Sequence, residues 1–190
     1  SPEDIRSLSH NENWIHLNNF QKGIDLSFID KANFKTYLNS LDKKMSDLIC
    51  DDSWMGHCAK YQLNSGGKRF RAILALLASK IFGLNKEISN GIAICCEFIH
   101  NASLIHDDLQ DRDLLRRGVP TIWNRFGDHT AINLGDYFIS ASYEILTNVK
   151  VHSDLKCKAI KELSDTIKQT VKGQSVEIIK SESFLKIYKS

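Results

Sequence analysis

The sequence predicts an all-helical fold. Two observations carry that prediction. Only two prolines occur in 190 residues, Pro2 and Pro120, so little in the chain forbids long helices. The long stretches between glycine-containing breaks carry apolar residues three and four positions apart, the spacing of one helix face.

Taken in order, residues 1–30 are polar with scattered aromatics (Trp14, Phe20, Phe28) and read equally as a loose arm or an extra helix. Helices are expected near 31–50, 53–64, 69–82, 87–112, 129–149 and 154–180, with another starting near 183. Asp128 stands where it would cap the fifth. Arg117-Gly118-Val119-Pro120 is the sharpest break, because proline disfavours helix in the residue before it. There is no internal repeat and no low-complexity stretch. The amphipathic pattern Phe184-Leu185-Lys186-Ile187-Tyr188 runs to Ser190 without a cap, so the fold is expected to be incomplete at the C-terminus, with residues 31–190 forming a partial domain.

Bulk properties narrow the function. A chain of this length with 42% hydrophobic residues supports one compact core. Its 25 basic and 23 acidic residues nearly cancel, which argues against a nucleic-acid partner and against a polybasic membrane anchor. Phosphate binding would have to come from local clusters. Five cysteines in no paired short spacing argue against a disulfide framework and for a reducing compartment. The longest uninterrupted apolar run, Ala72 to Ala78, is far short of the roughly 20 residues that cross a bilayer, so no transmembrane segment is expected. The start, Ser1-Pro2-Glu3-Asp4, lacks the basic-then-apolar order of a secretory signal, and a removed targeting sequence would leave no trace. The expected location is the cytoplasm, or an organelle if such a sequence was removed.

The first chemical cluster is Asp107-Asp108-Leu109-Gln110-Asp111. At about 100° per residue, His100, Asp107 and Asp111 fall within about 40° of one another on a helix, with Glu97 close to the same stripe. Carboxylates at i and i+4 repel, so a compensating cation is a natural reason to place them together. Hard oxygens suit magnesium, which keeps several waters and bridges a few carboxylates to substrate phosphates. Acidic pairs on helices are often only a solvated face. The residues before them, 88–106, are mostly small or apolar, however, so these carboxylates extend from a buried helix and suit a cavity lining. Arg112, Arg116 and Arg117 follow, and guanidinium groups there would match diphosphate oxygens in pairs.

The second cluster is Gly66-Gly67-Lys68-Arg69-Phe70-Arg71, directly before the apolar stretch 72–78. Paired glycines let backbone approach an anion, a helix N-terminus favours negative charge, and Lys68 and Arg71 lie on one side of it. The spacing of a Walker-type phosphate loop is absent.

In order and spacing, Gly66-Gly67-Lys68-Arg69-Phe70-Arg71, His100, Asp107-Asp108-Leu109-Gln110-Asp111, Arg116-Arg117-Gly118 and Gly173-Gln174 resemble the trans-isoprenyl diphosphate synthase (polyprenyl synthetase) family. The similarity covers about residues 60–180, and 126–137 also resembles the family's next helix. The resemblance implies an antiparallel helical bundle of the isoprenoid synthase type. It implies head-to-tail condensation of an allylic diphosphate (dimethylallyl, geranyl, farnesyl or longer) with isopentenyl diphosphate, magnesium-dependent, in a homodimer or heterodimer. By that analogy Lys68, Arg71, His100 and Arg117 bind isopentenyl diphosphate, and Asp107 and Asp111 hold Mg2+. Arg116 contacts the allylic diphosphate, Asp108 orients, and Gln174 lies near the metal. Glu177 stands where the family often has aspartate.

In the family the growing tail runs along the first-motif helix, and here the residues five and four before Asp107 are the small Ala102 and Ser103. A geranylgeranyl or longer product is expected, with Phe98 as a deeper floor. The family's second aspartate-rich motif is absent from this sequence. That keeps open a non-catalytic or truncated partner subunit. A class I terpene cyclase shares the acidic motif but has no second diphosphate for the Gly66–Arg71 cluster to hold.

Overall fold

In the computed structural model the described residues are 31–188, with side chains described over 36–177. The arm or extra helix expected over 1–30 lies outside them. The described chain runs α1 (Lys31–Ile49), α2 (Trp54–Asn64), α3 (Phe70–Ile81), α4 (Lys86–Asp111), β1 (Leu115–Arg116), β2 (Val119–Pro120), α5 (Ile122–Phe126), α6 (Asp128–Asn148) and α7 (Ser153–Tyr188). Packing divides the chain into two compact units, residues 1–44 and residues 45–190. The account below concerns the second.

The helices begin and end for local reasons. Ser53 caps α2 by accepting from Gly56 N at 3.0 Å, and Asp51 in turn accepts from Ser53 N at 3.0 Å. Asn85 caps α4, accepting from Ile88 N at 2.9 Å. Arg112 ends α4 in the left-handed conformation, φ 58°. The expected capping role of Asp128 is not realised: Asp128 is the first residue of α6, Gly127 occupies the cap position with φ 91°, and the Asp128 carboxylate pairs with Arg112 at 2.8 Å.

Helix α4 is the centre of the unit and packs chiefly on α6 and α3. Its buried residues Ala93, Ile94, Phe98, Ala102 and Ile105 recur at helical spacing, as do the buried Ala131, Leu134, Phe138 and Ile145 of α6, the helix on which it packs most. Phe98 and Phe138 cross edge to face at 5.3 Å, an arrangement contributing about 0.5–1.5 kcal/mol beyond area burial. By length and composition α4 is the one helix among the described residues that would reach across a membrane, yet 61% of that stretch is buried inside the protein, as a core helix requires.

Two elements depart from expectation. The break at 117–120 is a hairpin, Leu115 opposite Pro120 and Arg116 opposite Val119. Its two loop residues, Arg117 (φ 54°) and Gly118 (φ 81°), both have positive φ, as a type I′ turn needs. The two helices expected over 154–180 and from 183 are one continuous helix, since neither glycine nor proline interrupts 174–188. No described side chain of α7 is fully buried.

Candidate functional site

Two clefts flank α4. On its wheel, His100, Asp107 and Asp111 form a ridge, with Asn101 and Leu104 falling to one side and Ile99, Ser103 and Gln110 to the other. The first pair lines one cleft and the second group lines the other. The single stripe read from the sequence is therefore the divide between two sites.

The first cleft, of about 600 Å³, is cationic and brings together Lys68, Arg71, His100 and Arg117 with Arg69 and the buried Glu97. Gly66 and Gly67 make this possible. Their φ values are 89° and 150°, and a Cβ on Gly67 would stand 2.8 Å from Arg117 Nη1. Arg117, aimed by the hairpin turn, donates to the Gly66 carbonyl. Arg71 Nη1 lies 3.1 Å from His100 Nε2. Burial, then Arg71, Arg117, Arg116 and Arg69, push the His100 pKa down to about 4. The ring is therefore neutral at pH 7, and Nε2 accepts from Arg71. Glu97 is engaged away from the metal stripe. It accepts from Ala72 N at 3.0 Å, because its position on the wheel turns it toward α3.

The second cleft, of about 250 Å³, is walled by α4, α6 and α7. Along α4 its lining passes from Ile99, Ala102 and Ser103 to His106, Asp107 and Gln110, so it changes from mostly apolar to polar over about 16 Å. Ile139 of α6 and Ile167 and Val171 of α7 extend the apolar part, while Gln174 lies at 3.4 Å from Gln110 Oε1 through its Nε2. Phe98, expected as the floor, does not line it. It is fully buried and packs edge to face on Phe138 of α6.

The three aspartates have different surroundings. Burial and then the neighbouring Asp111 raise the Asp107 pKa. Asp108 is 2% exposed and receives Arg116 Nε at 2.7 Å and Nη2 at 2.6 Å. Asp111 is exposed. The three arginines are likewise divided, since Arg112 pairs with Asp128 and lies over the Trp123 ring at 5.0 Å, Arg116 holds Asp108, and Arg117 belongs to the cationic cleft. The hairpin turn separates the adjacent arginines, Arg116 going to Asp108 and Arg117 to the Gly66 carbonyl. Among the described residues no three His, Cys, Asp or Glu side chains gather as a metal site. Asp107 and Asp111 stand as an i, i+4 pair in which Asp111 disfavours the charge of Asp107, a donor set that fits a divalent ion taking its remaining ligands from water and phosphate. Glu177 is exposed on α7.

His106, Gln110, Ile139, Ile167 and Val171 are cleft residues that motif reading missed. Gly135 was a partial signal for His106. That imidazole lies so close to Gly135 that a Cβ there would collide with it, and its Nε2 is 3.3 Å from the Ile132 carbonyl. The isoleucines and the valine carry no signal beyond ordinary helix periodicity.

The sequence pattern described as Polyprenyl synthetase matches residues 52–188. Among curated proteins, the chain is 35% identical over 120 residues to a geranylgeranyl diphosphate synthase of Methanosarcina mazei, covering 63% of this chain and 37% of that protein. It is 34% identical over 143 residues to a farnesyl diphosphate synthase of Buchnera aphidicola, covering 70% and 49%. Among solved structures, a geranylgeranyl pyrophosphate synthetase from Pyrococcus horikoshii superposes with TM-score 0.70 at 28% identity, covering 76% of this chain and 45% of that one. The chain thus spans less than half the length of these relatives.

Proposed function

Because the chain belongs to the polyprenyl synthetase family, matched over residues 52–188, we propose that it carries one wall of a prenyltransferase. The reaction joins an allylic diphosphate to isopentenyl diphosphate head to tail and yields a geranylgeranyl or longer product. The observation that supports this reading is the pair of clefts on the two flanks of α4, one cationic, the other combining carboxylates with apolar walls.

In this reading Lys68, Arg71 and Arg117 hold the diphosphate of isopentenyl diphosphate, and neutral His100 keeps Arg71 aimed at it. Asp107 and Asp111 hold magnesium, which when bound supplies positive charge for the departing diphosphate. Arg116, oriented by Asp108, adds a fixed guanidinium beside the same group. Ala102, Ser103, Ile139 and Val171 offer dry walls to the prenyl tail and keep water from the cationic carbon. Gln174 closes the polar end through Gln110. No nucleophilic side chain is required, since the alkene of isopentenyl diphosphate attacks the ionised allylic carbon and then loses a proton.

A second reading, a subunit that works with a partner chain, is favoured by the presence of only a carboxylate pair among the described residues. Incubation with magnesium, isopentenyl diphosphate and a radiolabelled allylic primer separates the readings by product chromatography. Chain elongation supports the synthase. Silence relieved by a full-length synthase of the family supports the subunit, and a cyclic hydrocarbon refutes both in favour of a cyclase.

A further inference from the structure

Behind the cationic cleft lies a carboxylate that the proposed reaction leaves without a role. Helix α3 starts at Phe70 with Arg69 in the cap position, left-handed at φ 49°, and with no side-chain cap bond from Arg69. A helix start leaves four N–H groups without partners, and a short local side chain ordinarily takes one of them. Here the acceptor comes from another helix. Glu97 of α4, 2% exposed, accepts from Ala72 N at 3.0 Å. Its second oxygen is 3.9 Å from Arg69 Nη1, and Arg69 Nη2 donates to the Leu63 carbonyl at 2.9 Å. The Glu97 carbonyl receives Asn101 Nδ2 at 2.8 Å, and Asn101 Oδ1 receives Gln62 Nε2 at 3.2 Å. The end of α2, the start of α3 and the middle of α4 are therefore joined by buried polar groups. Those groups lie under the segment that presents Lys68 and Arg71 to the cleft.

We propose that Glu97 is a positioning residue for diphosphate recognition: by capping α3 across the fold and holding Arg69, it fixes the backbone from which Lys68 and Arg71 reach the anion. The inference rests on the reading of this cleft as a diphosphate site. It makes a prediction of sign. Glu97 is itself a lining residue, so by Coulomb's law alone its negative charge opposes an anion and its neutralisation would tighten binding. A positioning role demands the reverse, because an outer-shell partner that aims its neighbours typically contributes 10- to 100-fold in affinity.

The test is calorimetric titration of the whole chain with inorganic pyrophosphate, for wild type, E97Q, R69K and the double variant. E97Q is expected to bind roughly 10- to 100-fold more weakly, and the double variant no more weakly than the worse single one, since both substitutions break one network. The rise in melting temperature on adding magnesium is expected to stay unchanged in each. Equal or tighter pyrophosphate binding by E97Q overturns the inference and leaves the site reading intact. A wild-type chain that binds no pyrophosphate overturns the site reading and the inference with it. Loss of the magnesium response together with pyrophosphate binding overturns the inference by showing general loosening. If circular dichroism shows E97Q unfolded, R69K decides: weaker binding by a folded R69K upholds the positioning role, and unchanged binding refutes it.

Discussion

Neutralising the three aspartates one at a time should move stability in opposite directions. Asp108 is 2% exposed and pairs with Arg116, whose side chain is 29% exposed. D108N takes away the carboxylate that this partly buried guanidinium holds and leaves it the weaker influence of Asp113 and Asp107. Breaking a buried pair from one side costs about 3–5 kcal/mol, and the partial exposure of Arg116 sets the expected loss near the lower end, about 3 kcal/mol. For a chain of this size that corresponds to a fall in Tm of roughly 6–12 °C. Asp107 and Asp111 behave otherwise: burial and their mutual repulsion raise the Asp107 pKa. Relieving a like-charge i, i+4 pair is worth roughly 0.2–0.5 kcal/mol, so D107N and D111N should raise the metal-free Tm by about 1 °C. Thermal unfolding followed by circular dichroism, with and without magnesium, reads both effects. Magnesium should raise the Tm of wild type and D108N but not of D107N. A D108N variant as stable as wild type, or a D107N variant destabilised to the same degree as D108N, would refute this division of the motif into one structural and two ligand carboxylates.

Further outcomes follow from the same geometry. His100 has its pKa lowered to about 4 from 6.5, so between those values the unfolded chain binds the proton first and stability falls as pH drops through that window; urea melts at pH 7 and pH 4.5 should show a smaller loss for H100N than for wild type, and equal losses would refute the assignment. G135A should destabilise by about 1–3 kcal/mol through collision with His106, whereas in an H106A background the same change should be neutral or stabilising, up to roughly 1 kcal/mol from helix propensity; equal costs in both backgrounds would show that His106 is not the obstacle. A102F, placing a ring where the cleft lining is now a methyl group, should shorten the longest product in the elongation assay; unchanged product length would remove Ala102 from the tail path.

Some of this was legible in the chain and some was not. The clusters 66–71 and 107–111 are chemically distinctive runs, and the helices that carry them begin and end within two residues of their expected limits. The hairpin escaped notice because its turn places Arg117 at a positive φ where asparagine or glycine would have announced it. Asp128 looked like a cap because aspartate favours that position; Gly127 took it, and Asp128 turned to Arg112. Phe98 was expected as a deeper floor of the tail path, but it is buried against Phe138 of α6, a contact between helices that the sequence of α4 alone does not show.

What the sequence determined by itself is the part that depends on local periodicity and chemical type: an all-helical fold, a ridge of His100, Asp107 and Asp111 on one helix, and a glycine-rich cationic turn before another. Only the tertiary structure decided how those groups are shared out. It sent Arg116 to Asp108 and Arg117 to Gly66, put His100 in one cleft and Asp107 in the other, and turned Glu97 from a ligand candidate into the cap of α3. The physical reason is that a helix wheel fixes the angles between side chains to within tens of degrees, while a hydrogen bond or ion pair is decided over a few tenths of an ångström by elements far apart in the chain.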